Sequence, residues 1–174
     1  MKFKNFFPAL VFLLVAILMA LSTKLGDKSS FYPTMIGKEI PVFSAPLLDG
    51  KGILTSAELK NNTIVNLWAS WCTACMAEHE VLKNLAKSHK IYGIDSGDID
   101  AAAREHLLRH GNPFYKVGVD PQRRIALAMG SQGLPETYII GKNGVVYFHH
   151  RGVLTQEIVD KELLPILEQL EITK

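Results

Sequence analysis

The 174-residue chain has only two cysteines. That is too few for a disulfide scaffold, and no second Cys pair or distal His pair completes a structural zinc site. No run of like charge and no interleaving of basic with aromatic residues occurs, so no nucleic-acid partner is expected. There is no internal repeat or low-complexity tract, and 13 glycines and 8 prolines exclude collagen-like and disordered classes. Charge is missing altogether between Lys4 and Lys24. Of 19 Lys+Arg and 17 Asp+Glu, only Lys2 and Lys4 lie in the first 23 residues; the remaining 151 residues carry 17 charges of each sign. The pI of 8.5 therefore owes much to two lysines beside an apolar segment, and about 150 residues suit one domain with a single core.

In residues 6–21 all but Pro8 are apolar. As a helix, the 19-residue uncharged window from Asn5 to Thr23 is roughly 28 Å long, close to the thickness of a bilayer's hydrocarbon core. Lys2 and Lys4 before it keep the N-terminus in the cytoplasm and send the rest outward. An uncleaved anchor is favoured over a cleaved signal peptide, for which Ala20 and Ser22 are the candidate small residues. The expected organisation is an anchor at 1–23, a polar tether at 24–35 and a folded domain at 36–174. Both membrane readings place the cysteines in an oxidising compartment.

Along the domain, Ile40–Phe43 and a turn at Asp49-Gly50 suggest a short strand and hairpin. Thr63–Ala69 reads as a buried strand, Cys72–His89 as a helix and Lys90–Asp95 as a second strand. Asp98 is the expected cap of a helix that Gly111 stops. Lys116–Asp120 is a further strand, and Pro121 is expected to open a short helix to Met129. Asn143-Gly144 marks a hairpin between Thr137–Ile140 and Val145–His150. Thr155 caps a last helix to Ile172, kinked at Pro165. Strands and helices that alternate before a terminal hairpin predict an α/β fold, a mixed sheet with helices on both faces.

Both cysteines lie in Trp71-Cys72-Thr73-Ala74-Cys75, where strand turns into helix. Positions i and i+3 of a first helical turn lie within disulfide reach. Cys72 faces unpaired N–H groups and the positive end of the helix dipole, which favour the thiolate. It is the expected attacking nucleophile; Cys75, one turn deeper and expected to be more buried, is the resolving thiol. A c-type haem site fails because Met76, not His, follows Cys75. An inert staple across two residues would constrain little of the unfolded chain.

At these residues the chain resembles the thioredoxin-like superfamily: Trp68-Ala69-Ser70-Trp71-Cys72-Thr73-Ala74-Cys75 links strand to helix, and Leu134-Pro135 matches the proline held in cis opposite the cysteines. Met76-Ala77-Glu78-His79, Gly111-Asn112-Pro113 and Gly133-Leu134-Pro135-Glu136-Thr137 extend the match over residues 1–172. They make the chain similar to the membrane-anchored DsbE/CcmG-type thiol:disulfide oxidoreductases of bacterial cytochrome c maturation. The resemblance implies a thioredoxin-like fold behind one transmembrane helix, anchored in the inner membrane through residues 5–23 with the domain in the periplasm. It implies an enzyme without metal or organic cofactor. The substrate would be the Cys-x-x-Cys-His segment of apocytochrome c, and the electrons would come from a membrane thiol donor of the DsbD/CcdA kind. Three positions depart from the family: Thr73 stands where Pro is common, Gly130-Ser131-Gln132 lacks the apolar residue more usual after the first Gly, and Gly141 stands where Asp is usual.

Thioredoxins carry a buried Asp six positions before the first Cys; here it is Asn66, which cannot accept a proton at relevant pH. Glu78, three residues after Cys75, shares its helical face and is the expected base once burial raises its pKa; His79 is its rival. The resemblance implies acidic residues near the cysteines at Glu78 and Glu136. Trp71, Leu134, Pro135 and Glu136 are the expected substrate-binding residues: a flat surface at Trp71, backbone pairing before the cis bond, and a nearby acid. His149 and His150 point to opposite faces of a strand and read as structural. Asp95, Asp98 and Asp100 read as turn and cap residues. Two rival functions keep the fold: a general periplasmic reductase or oxidase, since reduction potential sets direction, and a chaperone that holds copper with two thiolates and a histidine.

Overall fold

The computed structural model describes residues 11–19 and 35–172, which belong to two compact units. In the first, residues 11–19 form helix α1. The rest of the expected anchor, and the expected tether up to residue 34, lie outside the described residues. No helix among the described residues is long and apolar enough to cross a membrane.

The second unit opens with a hairpin of β1 (Ser44–Pro46) and β2 (Ile53–Thr55), followed by a 3-10 turn at Ser56–Leu59. Its main sheet contains β3 (Thr63–Trp68), β4 (Ile91–Ser96), β5 (Lys116–Asp120), β6 (Glu136–Ile140) and β7 (Val146–Arg151) in the order β5-β4-β3-β6-β7. β3 runs parallel to β4 and antiparallel to β6, with Asn66 opposite Thr137. Every residue of β3 is buried, as a strand covered on both faces requires. Ile64 and Trp68 face one layer, formed by α2 (Thr73–Leu85), α3 (Asp100–His110) and the last helix. Val65 and Leu67 face the other, formed by α4 (Arg124–Ala128), the 3-10 turn and the first hairpin. Burying Ile64, Val65 and Leu67 contributes about 1.5–3 kcal/mol each through removal from water.

The mixed sheet with helices on both faces is as expected, and several boundaries differ. The helix expected over Cys72–His89 ends at Leu85, where the chain turns away. The first strand is Ser44–Pro46, not Ile40–Phe43. The turn at Asp49-Gly50 does form, with Asp49 Oδ1 accepting from Lys51 N. α3 begins after Ile99 with no side-chain cap, because Asp98 is drawn toward Ser70. α4 begins at Arg124, not Pro121, because Arg123 takes a left-handed conformation that helix geometry excludes. The last helix is α5 (Gln156–Ile158), a π-helical turn (Val159–Leu163) and α6 (Leu164–Ile172). Thr155 caps it as expected, accepting from Ile158 N. The irregularity lies just before Pro165: the proline ring would meet the carbonyl of Lys161, and a widened turn takes up the mismatch.

Candidate active site

β3 delivers the chain to a short loop, Ala69-Ser70-Trp71, and Cys72 serves as N-cap of α2 in an extended conformation. Its sulfur accepts from the Cys75 amide at 3.1 Å. Cys72 and Cys75 are joined as a disulfide with their Cα atoms 5.2 Å apart. They are 5% and 6% exposed, so Cys75 is not the more deeply buried of the two. Both belong to one apolar cluster, and Leu134 packs against it. The helix N-terminus behind Cys72 stabilises a thiolate there by its unpaired N–H groups and dipole.

Glu78 is fully buried on the inner face of α2. Its Oε1 accepts from Asn66 Nδ2 at 2.8 Å and its Oε2 from the Leu154 amide at 2.6 Å. Burial pushes its pKa up to about 7, against the lowering effect of the two donors. Asn66, in the position of the expected missing Asp, also donates to Thr137 Oγ1 at 3.1 Å. The carboxyl therefore joins β3 to the loop before α5, three residues after Cys75 in sequence, and Asn66 carries the connection on to β6. His79, the rival base, is buried and bonds through Nε2 to the carbonyl of Gly111, which ties α2 to the end of α3.

The Leu134–Pro135 peptide bond is cis. Glu136, next in sequence, is only 1% exposed, so it presents no open surface to a peptide. Its Oε1 accepts from Gln132 N at 2.8 Å, and its Oε2 accepts from Tyr138 Oη at 2.6 Å and from His149 Nε2 at 2.8 Å. Burial alone would raise its pKa; the donors outweigh that and hold it below the usual value. His149 Nδ1 in turn accepts from the Met35 amide, which fixes the Nε2–H tautomer. Glu136 thus holds the cis-proline loop from behind. Sequence reasoning missed Tyr138 and His149 in this network; the readable signal was that antiparallel β6 and β7 set them face to face, with rings stacked 4.2 Å apart.

Trp71 is 53% exposed beside Cys72. The Ser70 hydroxyl and amide both donate to Asp98, which anchors the active-site loop to the β4–α3 connection rather than capping α3. Asp95 is buried at the end of β4; burial, then the neighbouring Asp98, pushes its pKa up to about 8.

A disulfide at a helix N-terminus, a buried carboxyl behind it and a cis-proline loop on the same apolar cluster define a thioredoxin-like thiol:disulfide oxidoreductase. The chain belongs to the Redoxin family, whose profile matches residues 35–164, and within it to the DsbE-type thiol:disulfide interchange proteins. It is 38% identical over 145 residues to the DsbE homologue of Paracoccus denitrificans, covering 82% of this chain and 81% of the relative. It is 36% identical over 166 residues to DsbE of Pseudomonas aeruginosa, covering 94% and 92%. The fold is similar to that of a Chlorobium tepidum protein assigned to DsbE, with TM-score 0.65 at 22% identity, covering 78% of this chain and 99% of that one.

Proposed function

We propose that this chain is a membrane-tethered periplasmic reductase that opens the disulfide of the Cys-x-x-Cys-His segment of apocytochrome c before haem attachment. The observation that carries the reading is Glu78: a buried carboxyl poised near neutrality, three residues from Cys75, where a general base is needed. Cys72 thiolate attacks one sulfur of the substrate disulfide. One substrate thiolate leaves, and a mixed disulfide forms on Cys72. Cys75 then loses its proton to Glu78 and attacks Cys72. The Cys72–Cys75 bond forms, the second substrate sulfur leaves as a thiolate that takes up a proton, and two electrons have passed to the substrate. A membrane dithiol of the DsbD/CcdA kind returns two electrons by the same exchange. Trp71, Leu134 and cis-Pro135 form the surface that receives the extended peptide, with Leu134 offering its backbone to the peptide strand. Glu136 acts on that surface through the loop it holds. Residues 5–23 keep the domain at the outer face of the inner membrane.

A trapping experiment tests the reading. Cys75→Ser removes the resolving thiol, so the substrate stays on Cys72. The expected trapped partner contains Cys-x-x-Cys-His. Recovery of only unrelated secreted proteins points instead to a general reductase.

A further inference from the structure

Trp71 is held at its edge and on one face. Its indole Nε1 donates to the Gly97 carbonyl at 2.9 Å, which fixes the ring edge. The Arg123 guanidinium lies over the ring, 5.2 Å from its centroid, which covers one face. No salt bridge among the described residues uses Arg123.

Arg123 reaches this place by an unusual route. Its φ is +57°, a left-handed conformation that a residue with a Cβ adopts only against steric resistance. The conformation follows the turn closed by Arg123 N on the Asp120 carbonyl. Gly97, whose amide also donates to Asp120, has φ +69°, and a Cβ there would sit 2.2 Å from Arg123 Nε. The glycine therefore both supplies the acceptor for the indole and leaves room for the arginine. Three loops, after β3, β4 and β5, meet in this contact at the C-terminal ends of the parallel strands, where open α/β sheets bind their ligands.

We infer that Arg123 is a positioning residue: it clamps the indole of Trp71 so that the ring's open face forms a rigid platform beside Cys72 for the peptide that carries the disulfide. A platform ordered in advance leaves less freedom to lose on binding. The ligand this suits is an extended peptide with a flat or apolar side chain next to its cysteine. The inference rests on the reading of Trp71 as a substrate surface.

Arg123→Gly tests it without endangering the fold, because glycine adopts the observed φ freely. Arg123→Lys keeps the charge and loses the flat face. Trp71→Ala is the reference. Acrylamide quenching of indole fluorescence reads Trp71 against the buried Trp68. Turnover of an oxidised Cys-x-x-Cys-His peptide, with dithiothreitol as electron donor, gives KM and kcat. The expected result for Arg123→Gly is stronger quenching and a KM raised about two- to fivefold, the span of an exposed cation–π contact, with kcat unchanged and Arg123→Lys in between. Wild-type quenching in Arg123→Gly overturns the clamp. Wild-type KM in Arg123→Gly, with a raised KM in Trp71→Ala, overturns its role in binding. Wild-type KM in Trp71→Ala removes the platform itself, and that failure belongs to the reading of Trp71.

Discussion

Glu78 and Asn66 form a pair that can serve both protonation states of the carboxyl. As a carboxylate, Glu78 accepts from Asn66 Nδ2 and Leu154 N. Once protonated it must donate, and Asn66 Oδ1 has no hydrogen-bond partner among the described residues; turning the amide over offers that oxygen to the proton. The same turn accommodates a Gln side chain at 78. Glu78→Gln is therefore expected to fold and to form the mixed disulfide at the wild-type rate. It should slow resolution by Cys75 about 10²-fold or more, the usual contribution of a positioned base. Stopped-flow kinetics separate the two steps, and unchanged resolution would remove Glu78 from the mechanism. Stability carries a second signature. The folded pKa of about 7 lies above the ordinary 4.5, so between those values the native state keeps a proton that the unfolded chain has released. Stability is then greatest below about pH 4.5 and falls as pH rises toward 7, by on the order of 3 kcal/mol from this group. Asp95, raised from 3.8 to about 8, acts in the same direction. Urea titrations across pH 4.5–8 should show this decline in the wild type and a shallower one in Glu78→Gln. The placement of Glu78 was legible in sequence because Cys75 and Glu78 are neighbours on one helix. The burial of Glu136 was not, since its partners Tyr138 and His149 come from the pairing of two strands.

At the scale of elements, the cis-proline loop is held by one carboxylate. Glu136 collects the Gln132 amide, the Tyr138 hydroxyl and the His149 ring, and His149 connects these to Met35 at the start of the domain. Glu136→Ala leaves several buried donors without an acceptor. We expect a loss of about 3 kcal/mol or more in urea unfolding and hydrogen exchange at the Gln132 amide faster by over about tenfold, as in a locally opened segment. Exchange unchanged at Gln132 would mean that the loop is held by something else. The five strands of the main sheet, the start of α2 and the cap of the last helix were readable from apolar runs, caps and punctuation, each a local signal; the first hairpin strand and the end of α2 were not. The limits of α3 and α4 were not, because tertiary demands override local preference there: Asp98 serves Ser70 instead of a cap, and Arg123 leaves helical geometry. Gly141, a departure from the resembled family, also has a local account. A Cβ there would lie 2.5 Å from Tyr147 Cε2, so this chain combines the glycine with a tyrosine across the hairpin.

For the whole molecule, the 151 residues after the uncharged segment carry no net charge. That fits a partner met by shape and backbone pairing, with little long-range steering. Peptide turnover should therefore vary little with ionic strength, less than about threefold between 0.05 and 0.5 M salt, where steered encounters change far more. The direction of exchange is set by the potential of the Cys72–Cys75 couple against its partners. The most direct measurement is that potential, by equilibrating the purified domain with glutathione redox buffers. The expected value lies well to the reducing side of a strong disulfide donor, nearer to thioredoxin at about −270 mV, and a value near about −120 mV, typical of such a donor, would contradict the reductase reading.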